Sequence, residues 1–126
     1  MNKIILFLSI FSISQSLYAI DCGKFSTQHE MTNCIIQKLN KTEKKLDNKI
    51  KKISEIFEEK TEFERSNKVW LEYRDAHCLS VSKIYEGGSI YNFALTECKI
   101  NQTNLRINTL ENDYKATINI ITKGSP

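Results

Sequence analysis

From Thr27 onward, apolar residues of this chain recur at steps of three, four or seven, and no segment alternates strictly between apolar and polar. Steps of that size place side chains on one face of a helix, so the pattern predicts helices and no strands. The first helix has a start signal. Thr27 stands three residues before Glu30, the spacing of a capping box. Met31, Ile35, Leu39, Leu46, Ile50, Ile53 and Phe57 then draw one stripe. A second helix is predicted from about Thr61 to Tyr85, with Phe63, Trp70, His77 and Ile84 one heptad apart and Val81 beside them. Glu86 to Ser89 breaks it: Gly87 and Gly88 allow a left-handed C-cap, and Ser89 is placed to cap the next helix. The third helix is predicted from about Ile90 to Thr122. Phe93, Ile100, Ile107, Tyr114 and Ile121 form its main stripe, widened by Leu110 and Ile118, while Cys98 and Leu105 form a second. Consecutive helices joined by short turns pack antiparallel, so the fold class is all-α, a small antiparallel three-helix bundle.

The first nineteen residues follow another pattern. Lys3 precedes an apolar run from Ile4 to Ile13, followed by polar residues and the small Ala19. That run is too short to span a bilayer. The segment 1-19 reads as a signal peptide, so no transmembrane anchor is expected after cleavage. Asp21 before Cys22 does not suit lipid attachment, so no lipid anchor is expected. The remainder is one domain over 20-122 and a tail, 123-126, expected to fray. The expected location is periplasmic or secreted.

Charge changes the picture little. The full chain carries a formal +3, and loss of Lys3 leaves about +2, which does not suggest a nucleic-acid partner. Lysines crowd the first helix at 38, 41, 44, 45, 49, 51 and 52. The plain reading is a solvated face, diluted by Glu43, Glu55, Glu58 and Glu59; the sharper reading is contact with an anionic lipid or cell-wall surface.

All four cysteines, Cys22, Cys34, Cys78 and Cys98, lie beyond the leader, and none forms a C-x-x-C pair. An even count in a small exported chain reads as a disulfide framework. Cys78 and Cys98 stand about equally far from the turn at Gly87–Gly88, so they meet across an antiparallel hairpin. Cys22 then pairs with Cys34. Cys34–Cys78 with Cys22–Cys98 is the alternative.

The stretch Val69 to Cys78, VWLEYRDAHC, gathers the side chains with most chemistry. Trp70 lies on the apolar stripe and is expected in the core. Arg74, one turn on, is placed to stack on Trp70 or to pair with an acid from another helix. The functional alternative is a partly exposed Trp70–Tyr73–Arg74 patch with interface hot-spot residue types. His77 beside Cys78 invites a nucleophile reading, which an oxidised cysteine would remove. Two histidines, His29 and His77, are too few to argue a metal site, and no phosphate loop or nucleophile elbow is present. No enzyme activity and no cofactor are expected.

The ordered set Asp21–Cys22, Thr27–Gln28 with Glu30–Met31, Cys34, Trp70 with Tyr73–Arg74–Asp75 and Cys78, Gly87–Gly88–Ser89, then Cys98, Thr103, Arg106 and Leu110 resembles the LprI-type lysozyme-inhibitor family. The chain departs from its pattern at Leu46–Asp47 and Ile50, where Leu-Asn and a downstream tyrosine are usual, at Ser66–Asn67, where Ala-Gln is usual, and at Gln102, where leucine is usual. These look like packing and polar-network substitutions. The resemblance implies an exported, disulfide-bonded helical domain in which Trp70, Tyr73, Arg74, Asp75, Thr103 and Arg106 are structural. It also implies a partner, a lysozyme or other cell-wall hydrolase, bound by protein–protein contact. The candidate interface is the loop carrying Tyr85, Glu86, Gly87, Gly88, Ser89 and Tyr91. Two alternatives stand beside it: a non-inhibitory envelope protein binding an anionic surface through the first helix, and an immunity protein against a peptidoglycan-cutting toxin.

Overall fold

A computed structural model describes residues 21–123; residues 1–20, which include the expected signal peptide 1-19, and the last three lie outside the described residues. A short 3₁₀ turn, Cys22–Lys24, leads into α1 (Gln28–Ser54), α2 (Thr61–Ser82) and α3 (Tyr91–Lys123). A second 3₁₀ turn, Lys83–Tyr85, extends the end of α2. The bundle is all-α, and α3 is its central element, packing along both α1 and α2. The capping box forms as expected: Thr27 Oγ1 accepts from the Glu30 amide at 3.2 Å, and the Thr27 amide donates to Glu30 Oε2 at 3.2 Å. Helix α2 has no side-chain cap from Lys60; Glu59 supplies it, accepting from the Thr61 amide at 3.1 Å.

The core is in two parts. At the end holding the α1–α2 turn, Leu46, Ile53, Phe63 and Leu110 are buried, with Trp70, Ile107 and Tyr114 packed against them. Phe57 lies beyond the end of α1 but anchors that turn. Its ring meets Phe63 at 5.6 Å and Tyr114 edge-on at 5.8 Å. Burying each large side chain here stabilises by roughly 1.5–3 kcal/mol. At the opposite end Cys22, Ile35 and Ile100 form a smaller core with Leu39 and Phe93. Between the two lies a layer built on Thr42, Arg74 and Thr103, all buried.

Both disulfides join the expected partners, Cys22–Cys34 and Cys78–Cys98, each with Cα atoms 5.6 Å apart. Disulfides persist in oxidising compartments, so the pair fits an extracytoplasmic protein. No described helix is long and apolar enough to cross a membrane.

The stripe drawn for α2 needs correction. Phe63 is buried and Trp70 half-buried, but Val81 is exposed and Ile84 is 81% exposed. The inward face of α2 is instead Phe63, Asn67, Arg74, Cys78 and Ser82, steps of four and seven that include three polar residues. His77 is half-buried and stacks on exposed Tyr73, ring centroids 5.5 Å apart. On α3, Leu105 and Ile121 also face solvent, because neighbouring helices cover the side carrying Ile100, Thr103 and Leu110.

Candidate functional site

Arg74 holds the middle layer together. Its Nη1 donates to Glu43 Oε1 of α1 at 2.8 Å and to Thr103 Oγ1 of α3 at 3.1 Å. Its Nε donates to Asp75 Oδ1 at 3.0 Å, and Lys99 Nζ reaches the same carboxylate at 3.2 Å. One cation thus bridges three helices. Burial pushes the Asp75 carboxyl up, but hydrogen bonds and charge from Arg74 and Lys99 outweigh it and hold the group below its ordinary value. Both sequence expectations for Arg74 are met: it pairs with an acid of another helix, and its guanidinium lies 5.7 Å over the Trp70 ring.

Thr103 and Arg106 do not pair with each other. Thr103 joins Arg74, while the Arg106 guanidinium also lies 5.7 Å from the Trp70 ring, and its Nη2 donates to Asn67 Oδ1 at 2.9 Å and Ser66 Oγ at 3.3 Å. Ser66–Asn67 is therefore a polar-network substitution, and Asn67 completes it by donating to the Phe63 carbonyl at 2.9 Å. Burial lowers the Arg106 guanidinium from its usual value, offset in part by Tyr114 and Asp113. Glu43 and Lys99 were not singled out from sequence as members of this network. Their signal is a polar residue falling on a helix's inward face.

Cys78 is a disulfide and supplies no thiol nucleophile. Among the described residues, no group of three His, Cys, Asp or Glu side chains could hold a metal ion.

The end of the bundle holding the α2–α3 loop is built differently. The Tyr85 carbonyl accepts from the Gly88 amide at 2.9 Å, and the Lys83 carbonyl from the Glu86 amide at 3.1 Å. Gly87 takes φ +80°, where a side chain would be strained. Gly88 packs close, since a Cβ there would sit 3.1 Å from the Tyr85 carbonyl oxygen. Ser89 does not cap α3, which begins at Tyr91; its carbonyl instead accepts from Gln28 Nε2 of α1 at 2.7 Å. Cys78–Cys98 closes the hairpin below the loop. The loop is thus tied to α1 as well as to its own helices. On this frame Ile84, Tyr85 and Ile90 are exposed, while Tyr91 is half-buried. The exposed Glu86 carboxylate pairs with Lys83 Nζ, three residues earlier, at 2.5 Å.

No curated protein and no solved structure matches the chain. A family model described as "Lysozyme inhibitor LprI" matches residues 21–110, a span running from the residue before the first disulfide to the buried Leu110. The helices, both disulfides and the Arg74 layer lie largely within it, and the chain belongs to the LprI lysozyme-inhibitor family.

Proposed function

We propose that the protein is an exported inhibitor of a lysozyme-like cell-wall hydrolase, acting by protein–protein contact through the loop end of the bundle. Family membership supports the partner class. The observation that carries the choice of surface is the braced loop: apolar Ile84, Tyr85 and Ile90 stand exposed on backbone fixed by Cys78–Cys98 and the Gln28–Ser89 hydrogen bond. A surface already ordered before binding loses little conformational entropy on docking, and exposed apolar side chains supply contact area. The near-neutral charge gives little long-range steering toward a basic enzyme, so short-range packing must supply the affinity.

The test is the lytic rate of a c-type lysozyme on cell walls, with and without the oxidised protein purified after export from a bacterial host. Saturable inhibition near stoichiometry that survives physiological salt is expected. Ile84→Asp with Tyr85→Ala is expected to abolish it, while Glu58→Ala at the far end leaves it intact. Inhibition unchanged by the loop pair would reject the surface. No inhibition of any cell-wall hydrolase would reject the function.

A further inference from the structure

Lys38, Lys45 and Lys52 are spaced by seven residues on α1, and Lys41 lies between the first two. Seven residues nearly complete two helical turns, so these side chains stay on one face. Among the described residues none of the four forms an ion pair, although Lys24, Lys49, Lys83 and Lys99 all do. They flank an open groove along the seam of α1 and α3. Its upper part, about 550 Å³, is floored by the Cys22–Cys34 disulfide and Thr42 and edged by Phe25. Asn33, Gln37 and Asn104 add amides to its walls. A second, smaller hollow shares Lys45 with it and is lined further along by Lys49, Lys52, Ile107 and Glu111. Two carboxylates face it, and both are engaged: Glu30 in the capping box, Glu111 by Lys49 at 2.6 Å.

We infer that this groove binds an extended β-1,4-linked amino-sugar chain that carries one carboxylate per disaccharide. Three observations select that ligand. First, seven helical residues rise about 10.5 Å, close to one disaccharide of such a chain, so successive lysines meet successive carboxylates. Second, side-chain amides both donate and accept, which suits hydroxyl and acetamido groups. Third, Phe25 is exposed at the groove's edge, where an aromatic face can cover a sugar ring. An acyl chain would need a continuous aliphatic channel, and the amides interrupt it. This site shares no lining residue with the exposed Ile84–Tyr85 surface and does not rest on the hydrolase reading.

The test uses a peptide-free oligosaccharide of alternating N-acetylglucosamine and N-acetylmuramic acid, titrated into the exported, oxidised protein by calorimetry and by amide chemical shifts. An N-acetylglucosamine oligomer of equal length is the uncharged comparison. The charged oligomer is expected to bind saturably at low salt, at least tenfold tighter than the uncharged one, shifting Asn33, Gln37 and Asn104. Lys38→Glu with Lys45→Glu and Lys52→Glu is expected to remove that binding. Lys44→Glu with Lys51→Glu and Lys68→Glu makes the same charge change on other exposed surfaces and is expected to preserve it. Equal loss in both triple variants would overturn the inference, since charge alone would then decide. Equal binding of the uncharged oligomer would overturn the carboxylate match. Binding to vesicles of anionic lipid, lost in the groove variant while the oligosaccharide does not bind, would assign the lysines to a membrane surface instead. The Ile84→Asp, Tyr85→Ala protein keeps oligosaccharide binding whether or not it inhibits, which separates the two readings.

Discussion

Removing Arg74 should harm the bundle less than removing the acids around it. Arg74 is 5% exposed, whereas the Glu43 and Asp75 side chains are 38% and 48% exposed. In Arg74→Met the stem is replaced by a flexible apolar side chain of similar reach, and both carboxylates turn back to water. Asp75 also keeps Lys99, and the Thr103 hydroxyl keeps its bond to the Lys99 carbonyl at 2.7 Å. The losses are hydrogen bonds to charged groups and the contact with Trp70; the gain is one fewer desolvated cation. The net cost is about 1 kcal/mol. Glu43→Ala with Asp75→Ala leaves Arg74 buried, with the Thr103 hydroxyl as its remaining hydrogen-bond partner. A buried charge stripped of its partners costs about 3–5 kcal/mol. At roughly 4 °C or more per kcal/mol for a domain of this size, Tm falls by at least about 12 °C. The assay is urea and thermal unfolding of the oxidised proteins at pH 7, followed by helical circular dichroism. If Arg74→Met costs as much as the paired acid variant, the buried cation is not what sets the energetics of this layer, and the argument fails.

Further outcomes follow from the same geometry. The Asp75 carboxyl is held below its ordinary value in the folded state, so its contribution is complete above its unfolded pKa and is lost as pH falls through its folded pKa; Asp75→Asn should therefore flatten the acid limb of a stability–pH profile. The Ser82 hydroxyl is buried without a hydrogen-bond partner among the described residues, so Ser82→Ala should be neutral or stabilise by up to about 1 kcal/mol, and a fall in the urea midpoint would show a partner for it. Replacing both cysteines of either disulfide should cost about 3 kcal/mol, given the short loops they close. Loss of Cys78–Cys98 should also weaken inhibition beyond its stability cost, measured well below Tm, whereas loss of Cys22–Cys34 should not.

Helix α1 was legible because its apolar residues and its lysines divide cleanly between two faces. Its capping box could be read from two residues. The disulfide pairing followed from the distance of Cys78 and Cys98 from one turn. Helix α2 was not legible in the same way. A reading that counts apolar side chains chose Phe63, Trp70, His77 and Ile84, and the first two do face inward. The true face passes through Asn67, Arg74 and Ser82, which such a count scores as solvent-facing. Burial of Arg74 depends on Glu43 from α1 and Thr103 from α3 as well as on its neighbour Asp75, and the periodicity of α2 alone carries no sign of the two outside partners.

The two candidate surfaces differ in how far sequence could reach them. The α2–α3 loop announced itself through Gly87–Gly88, and Tyr85 to Ser89 with Tyr91 were named from it. Sequence did not name Ile90, it assigned the exposed Ile84 to a core stripe, and Ser89, expected to cap α3, works through its carbonyl. The lysine row was visible as composition, and composition favoured a solvated face. Its significance depends on which lysines find acids, a tertiary property. Lys49 finds Glu111 on α3, while Lys38, Lys41, Lys45 and Lys52 find no carboxylate among the described residues. Walls that carry five lysines against two carboxylates, Glu30 and Glu111, present net positive charge to a ligand even in a protein that is nearly neutral overall. That separation of charge lets one small bundle carry an apolar contact surface at its end and an anion-binding strip along its side.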